Sequence, residues 1–143
     1  MLSISSDIFG ITPEGEKVAR FVIGDGMGWE VELLSLGATL AGVRTPDRNG
    51  NSAEITLGHG TLAGWLSDQA CLGASVGRYA NRIANARFRI NDMEYLLEAN
   101  DGAHHLHGGI DPFNKRNWIP EIIDRPGGCG VKFTLVSPDD DQG

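Results

Sequence analysis

The sequence predicts an all-β domain, and three observations carry that prediction. Glycine supplies 20 of 143 residues, about twice the typical ~7%, which favours frequent tight turns over long helices. Short apolar runs alternate with clusters of Pro, Asp, Asn and Gly along the chain. No stretch sustains a 3.6-residue apolar period over three turns. The length suits a single domain able to bury a core, and 41% hydrophobic against 22% charged residues is a globular composition.

The elements follow in order. "RFVIGDG" reads as a strand running into a glycine turn. In "WEVELLSLGATLAGVRTPD", Trp29, Val31 and Leu33 alternate with Glu30 and Glu32. The run then turns continuously apolar, as a strand covered on both faces does. "PDRNG" is a turn and "EITLG" a short strand. The clearest hairpin is "ARFRI-ND-MEYLL", where Phe88 and Ile90 alternate with Arg87 and Arg89 and Asn91-Asp92 makes the turn. "NWIPEIID" and "VKFTLVS" flank "RPGGCG" as strand, turn, strand. No repeat or low-complexity tract interrupts them.

A net charge of −7 argues against nucleic-acid phosphates and anionic membrane surfaces as partners, leaving small neutral molecules. No segment approaches the ~20 apolar residues of a membrane span. "MLSISSDIFG" lacks the basic region and apolar run of a signal peptide, so a cytoplasmic chain is expected. Cys71 and Cys129 form no CxxC pair; free thiols in a reducing compartment suit them better than a mutual disulfide, which stays open. "GDGMG" is followed by no helical pattern and reads as a turn, not a dinucleotide fingerprint. "SPDDDQG" lacks the spaced ligands of a calcium loop and reads as a solvated turn.

Two stretches suggest chemistry. "ANDGAHHLHGG" places His104, His105 and His107 within four positions, with His59 the only other histidine. If extended, His105 and His107 share a face and His104 points away. Such a pair can grip zinc but needs a third ligand, which only His59, a lone cysteine or a carboxylate offers. A structural polar loop and an acid/base or ligand-binding role are the other two readings, the last because histidine titrates near neutrality. "GASVGRYANRIANARF" sets Arg78, Arg82 and Arg87 among small residues with Asn81 and Asn85 between them. It is either a surface turn of solvated cations or a set of planar donors for a hydroxyl-rich ligand such as a sugar.

Joined, "GASVGRYANRIANARFRINDMEYLLEANDGAHHLHGG" and the following "FNKRNW" closely resemble the aldose 1-epimerases, or galactose mutarotases. That family's pattern runs GR-x-ANRI, strand-turn-strand, N-x-LHGG, then a phenylalanine, a basic residue and a tryptophan. "LLSLGATLAGVRTPDRNGN" fits its earlier part, and the resemblance runs from about residue 6 to the end. It implies an antiparallel β-sandwich of the galactose mutarotase-like supersandwich type, with residues 1–143 as the N-terminal portion of one such domain. It implies interconversion of the α and β anomers of aldohexoses, galactose and glucose among them, by acid/base ring opening without cofactor or metal. By motif position, Asn81 and Arg82 hold sugar hydroxyls, and His107 is the catalytic histidine beside the ring oxygen. His104 stands where the family usually has asparagine and His105 at a variable place, so neither inherits a role. Pro112 and Asn114 replace a usual glycine and aspartate.

The family's principal acid is another histidine, well downstream, and its base a glutamate near the C-terminus. No histidine follows His107, and Glu98 and Glu121 sit in no base motif. The chain is thus expected to hold substrate contacts without the complete pair, to be inactive alone, and to need a complementary C-terminal chain or to self-associate. A non-catalytic sugar-binding or regulatory module and an unrelated metal-binding β-domain are the other two readings.

Overall fold

The computed structural model describes residues 2–142. Five strands form one antiparallel sheet in sequence order: β1 (Ser3–Ile11), β2 (Lys17–Gly24), β3 (Glu30–Leu34), β4 (Thr39–Pro46) and β5 (Ser52–Glu54). A short helix α1 (Leu62–Ser67) follows, then β6 (Arg82–Ile83), the hairpin of β7 (Arg87–Ile90) and β8 (Met93–Leu96), and β9 (His105–Leu106), which pairs with β6. A second hairpin, β10 (Ile119–Arg125) and β11 (Gly128–Thr134), lies over the large sheet, with Phe133 edge-on to Phe21 at 6.0 Å. The fold is the antiparallel, all-β sandwich expected.

The turns form where their residues favour them. Asn91 and Asp92 both adopt left-handed angles, φ 48° and 65°, the twist a two-residue hairpin needs. Behind them Phe88 and Tyr95 stack at 5.1 Å. In "PDRNG" the Asp47 carboxylate accepts the Asn49 and Asn51 amides at 2.7 and 2.9 Å, with the Asn51 and Asn49 bonds holding its pKa below the ordinary value. "GDGMG" is likewise a turn, linking β2 to β3.

Three local expectations change. "WEVELLSLGATLAGVRTPD" is two strands, not one: the chain reverses at residues 35–38, with Gly37 and Ala38 at φ 66° and 45°. The cause lies far away in sequence. Ser35, 1% exposed, accepts the Ala19 amide at 2.8 Å and donates to the Asn117 side chain at 2.7 Å. Asn117 in turn donates to the Lys17 carbonyl at 3.0 Å, and the Trp118 amide to the Ser35 carbonyl at 2.8 Å. In "EITLG" only Glu54 is in a strand, which starts earlier, beside the turn. Helix α1 is too short for periodicity to reveal. Thr61 caps its start, and the Lys115 ammonium collects the carbonyls of Trp65, Leu66 and Asp68 at 3.2, 2.9 and 2.6 Å, where a cation suits the helix end.

Trp65 from this helix joins Val18, Leu34 and Leu36 as the buried core, edged by Phe9, Leu62 and Leu72. His59 packs edge-on to Trp65 at 5.0 Å, its Nε2 3.1 Å from Asp68. Elsewhere large apolar side chains face outward: Ile8, Ile55, Leu57, Met93, Leu96 and Ile119 are all more than half exposed. Cys71 and Cys129 are both free and half-buried. Among the described residues no helix is long and apolar enough to cross a membrane.

Candidate functional site

The β6–β9 pairing sets Arg82 opposite Leu106 and Ile83 opposite His105, so the two motifs meet in space. Next to this pair two segments of the chain clasp each other. The Asn81 amide donates to His107 Nδ1 at 2.9 Å, and the His107 amide donates to the Asn81 carbonyl at 3.1 Å. Both residues are left-handed, φ 70° and 54°, a conformation asparagine tolerates and histidine holds only when its surroundings impose it. With Nδ1 acting as acceptor, the neutral imidazole carries its proton on Nε2. His107 therefore presents an N–H donor.

The histidines do not share the geometry of a uniform strand. Because His107 leaves the strand at positive φ, His105 and His107 do not form the same-face pair expected of an extended segment. His105 is 3% exposed and its Nδ1–H donates to the Glu98 carbonyl at 2.9 Å. His104 Nδ1 accepts the Asn85 amide at 3.1 Å. Each ring thus has its own backbone partner. Among the described residues no group of three or more His, Cys, Asp and Glu is placed to hold a metal.

Arg82 is tied to Asp101 at 2.6 Å, with both side chains at least a third exposed, so the pair orients the guanidinium more than it stabilises the fold. Asn100, beside it, stitches the histidine loop. Its amide donates to the carbonyls of Leu106 and Gly109 at 2.9 and 3.0 Å, and its oxygen accepts the Leu106 amide at 2.7 Å. Neither Asp101 nor Asn100 was singled out from sequence, although "NDG" preceding the histidines is the kind of segment that folds back on its neighbours.

Gly108 closes the other side. At φ 93° its backbone lies so near Gly77 that an added Cβ would overlap the Gly77 carbonyl. Gly108→Ala is expected to destabilise the chain by on the order of 3 kcal/mol, combining left-handed strain with displacement of the "GR" loop. Thermal unfolding checks this; a change within ~0.5 kcal/mol would show that the two loops separate freely.

A cleft of about 540 Å³ opens beside the clasp, with Arg78, Tyr79, Arg82 and His105 on its polar side and Ile83 and Phe88 among its apolar residues. Asn81 and His107 lie on the adjoining loop, outside its wall. The "SPDDDQ" stretch closes over this region and is not simply a solvated turn. Asp139 and Asp140 are exposed, but the Asp141 side chain is 8% exposed and meets both Arg116 amino groups at 2.6 Å and the Ser137 hydroxyl at 2.5 Å. The segment packs because Arg116 needs a counter-charge there. Arg78 adds bonds to Ser137 at 2.9 Å and to the Pro138 carbonyl.

The Arg116 and Ser137 bonds hold the Asp141 carboxyl down from 3.8 to about 2. A lowered folded pKa contributes stability that is complete above the unfolded value and lost as pH falls through the folded one. The unfolding midpoint should therefore drop between about pH 4 and pH 2. Asp141→Asn should remove this group's share, no more than ~2 kcal/mol. Titrating Tm in both proteins tests it, and an unchanged slope in the variant would assign the acid sensitivity to other carboxylates.

The backbone superposes on the galactose 1-epimerase of Lactobacillus acidophilus with a TM-score of 0.84, covering 99% of this chain and 41% of that one at 22% identity, which establishes a shared fold. An aldose epimerase homologue from C. elegans superposes at TM-score 0.71 and 33% identity, over 84% of this chain and 36% of that one. The chain belongs to the aldose 1-epimerase family, whose sequence model matches residues 19–143. It is 37% identical to the galactose mutarotase of Bos taurus over all of this chain and 41% of that protein. It is 38% identical to the aldose 1-epimerase of Escherichia coli (strain K12), over 93% of this chain and 38% of the relative. The chain spans about two fifths of the length of these curated relatives and matches their N-terminal portion.

Proposed function

We propose that the chain serves an aldose 1-epimerase reaction on a monosaccharide such as galactose or glucose, as the part that holds the sugar. The observation that carries this reading is the clasp between Asn81 and His107, which leaves a neutral imidazole with an Nε2–H to offer. Anomerisation protonates the ring oxygen and removes the proton of the C1 hydroxyl. The C1–ring-oxygen bond then breaks to give an aldehyde, C1 rotates, and the steps reverse. In this reading His107 donates a hydrogen bond to the ring oxygen as charge develops there, and Arg82, aimed by Asp101, forks onto hydroxyls with the Asn81 side chain.

The resemblance puts the principal acid and the base downstream of the matched positions, so catalysis calls for a further polypeptide portion. The outward-facing Leu57, Met93, Leu96 and Ile119 suit coverage by such a complementary chain or by a second copy. The setting proposed is the cytoplasm. A non-catalytic sugar-binding module on the same scaffold is the second reading. Polarimetry of fresh α-galactose, with the chain alone and with the remainder of the sandwich supplied, separates the two. Sugar binding with no acceleration in either preparation would select the module.

A further inference from the structure

We propose that Arg116 is a positioning residue for the His107 loop; its catalytic meaning rests on the epimerase reading, its structural effect does not. The Arg116 side chain is 17% exposed and its planar fork serves three partners together. Nε and Nη2 donate to the Asp111 carbonyl at 3.1 and 2.8 Å, Nη1 and Nη2 donate to the Asp141 carboxylate at 2.6 Å each, and the guanidinium stands 5.4 Å over the Phe113 ring.

Each partner leads to the loop by a different route. Asp111 lies two residues beyond Gly109, so its carbonyl anchors the loop's exit. Asp141 precedes Gln142, whose side-chain oxygen accepts the Ile110 amide at 3.2 Å and fills the space where a Cβ of Gly109 would be. The Phe113 ring packs against Gly77, and the Gly77 carbonyl backs Gly108. The three routes converge on residues 108–110, immediately after His107. His107 is held at φ 54°, a conformation that survives only where its surroundings over-determine it. Arg116 is the common support of those surroundings. Lysine, a point charge without a fork, cannot serve a carbonyl, a carboxylate and a ring face in this arrangement.

The test observes His107 directly, by ¹⁵N NMR of the imidazole nitrogens in the histidine-labelled full chain. The wild-type chain should show a single neutral tautomer, protonated on Nε2. Arg116→Lys keeps the charge and loses the fork; Asp141→Asn keeps the shape and loses the charge. In both variants His107 should give signals averaged over two tautomers, while His59, packed on Trp65, keeps its wild-type signals. A single His107 tautomer in either variant overturns the proposal. So does an equal change at His59 in both, which would mark a general loss of fold. No sugar is needed, so failure of the epimerase reading, seen as no turnover even with the remainder of the sandwich supplied while the tautomer result stands, is a separate outcome.

Discussion

Fresh α-galactose is expected to mutarotate at its uncatalysed rate in the presence of the 143-residue chain alone, followed by polarimetry. The reaction needs an acid at the ring oxygen and a base at the C1 hydroxyl of one bound sugar. In the proposed reading, His107 and the Arg82–Asp101 pair serve the first need. For the second, Asp101 is already committed to Arg82 at 2.6 Å. A positioned proton-transfer group contributes roughly 10²- to 10⁴-fold, so without the downstream acid and base that the resemblance implies, about 10⁴- to 10⁸-fold is expected to be lost. Supplying the downstream part of the sandwich should restore acceleration. An ordinary enzymatic rate from the chain alone would place acid and base within it and end this division of labour.

In the restored enzyme, His107→Ala should lower kcat/KM for galactose by on the order of 10²-fold or more, the usual scale for losing an oriented donor to developing charge. The substitution also strips the Asn81 amide of its acceptor and so loosens the neighbouring motif. His104→Asn should be nearly silent, because an asparagine oxygen can accept the Asn85 amide in place of Nδ1. Steady-state kinetics of the two variants side by side decide the assignment. Equal losses would mean that His107 is not the functional member of the cluster.

What could be read from the sequence depended on how local the cause was. The Asn91-Asp92 hairpin was legible because both turn residues tolerate the left-handed angles they adopt. Strand β1 was not, since "SISSDIFGI" leaves six of its nine residues exposed and shows no apolar face to detect. The reversal after Leu34 escaped because Asn117, far along the chain, holds it. Within the site, the histidine cluster stood out by composition, but its geometry depends on one left-handed residue, His107, that no alternation rule anticipates. Asp101 and Asp141 escaped for the same reason as Asn117. Their arginine partners lie 19 and 25 residues away, and only the folded chain pairs them.

The Ser35–Asn117 bond also has a consequence in time. The two residues are 82 positions apart, and a ribosome adds ~5–20 residues per second, so roughly 4–16 s of synthesis separates them. During that interval the nascent chain must wait with this corner unsealed. The Ser35 hydroxyl lacks its acceptor, and the Lys17 carbonyl lacks the donor that Asn117 will bring. Strands β1 to β5 can pair as they emerge, being neighbours in order, but the corner locks only when "NWI" arrives. Slower translation across residues 36–116 would lengthen that exposure, and Ser35→Ala would leave no hydroxyl for the late-arriving asparagine to meet.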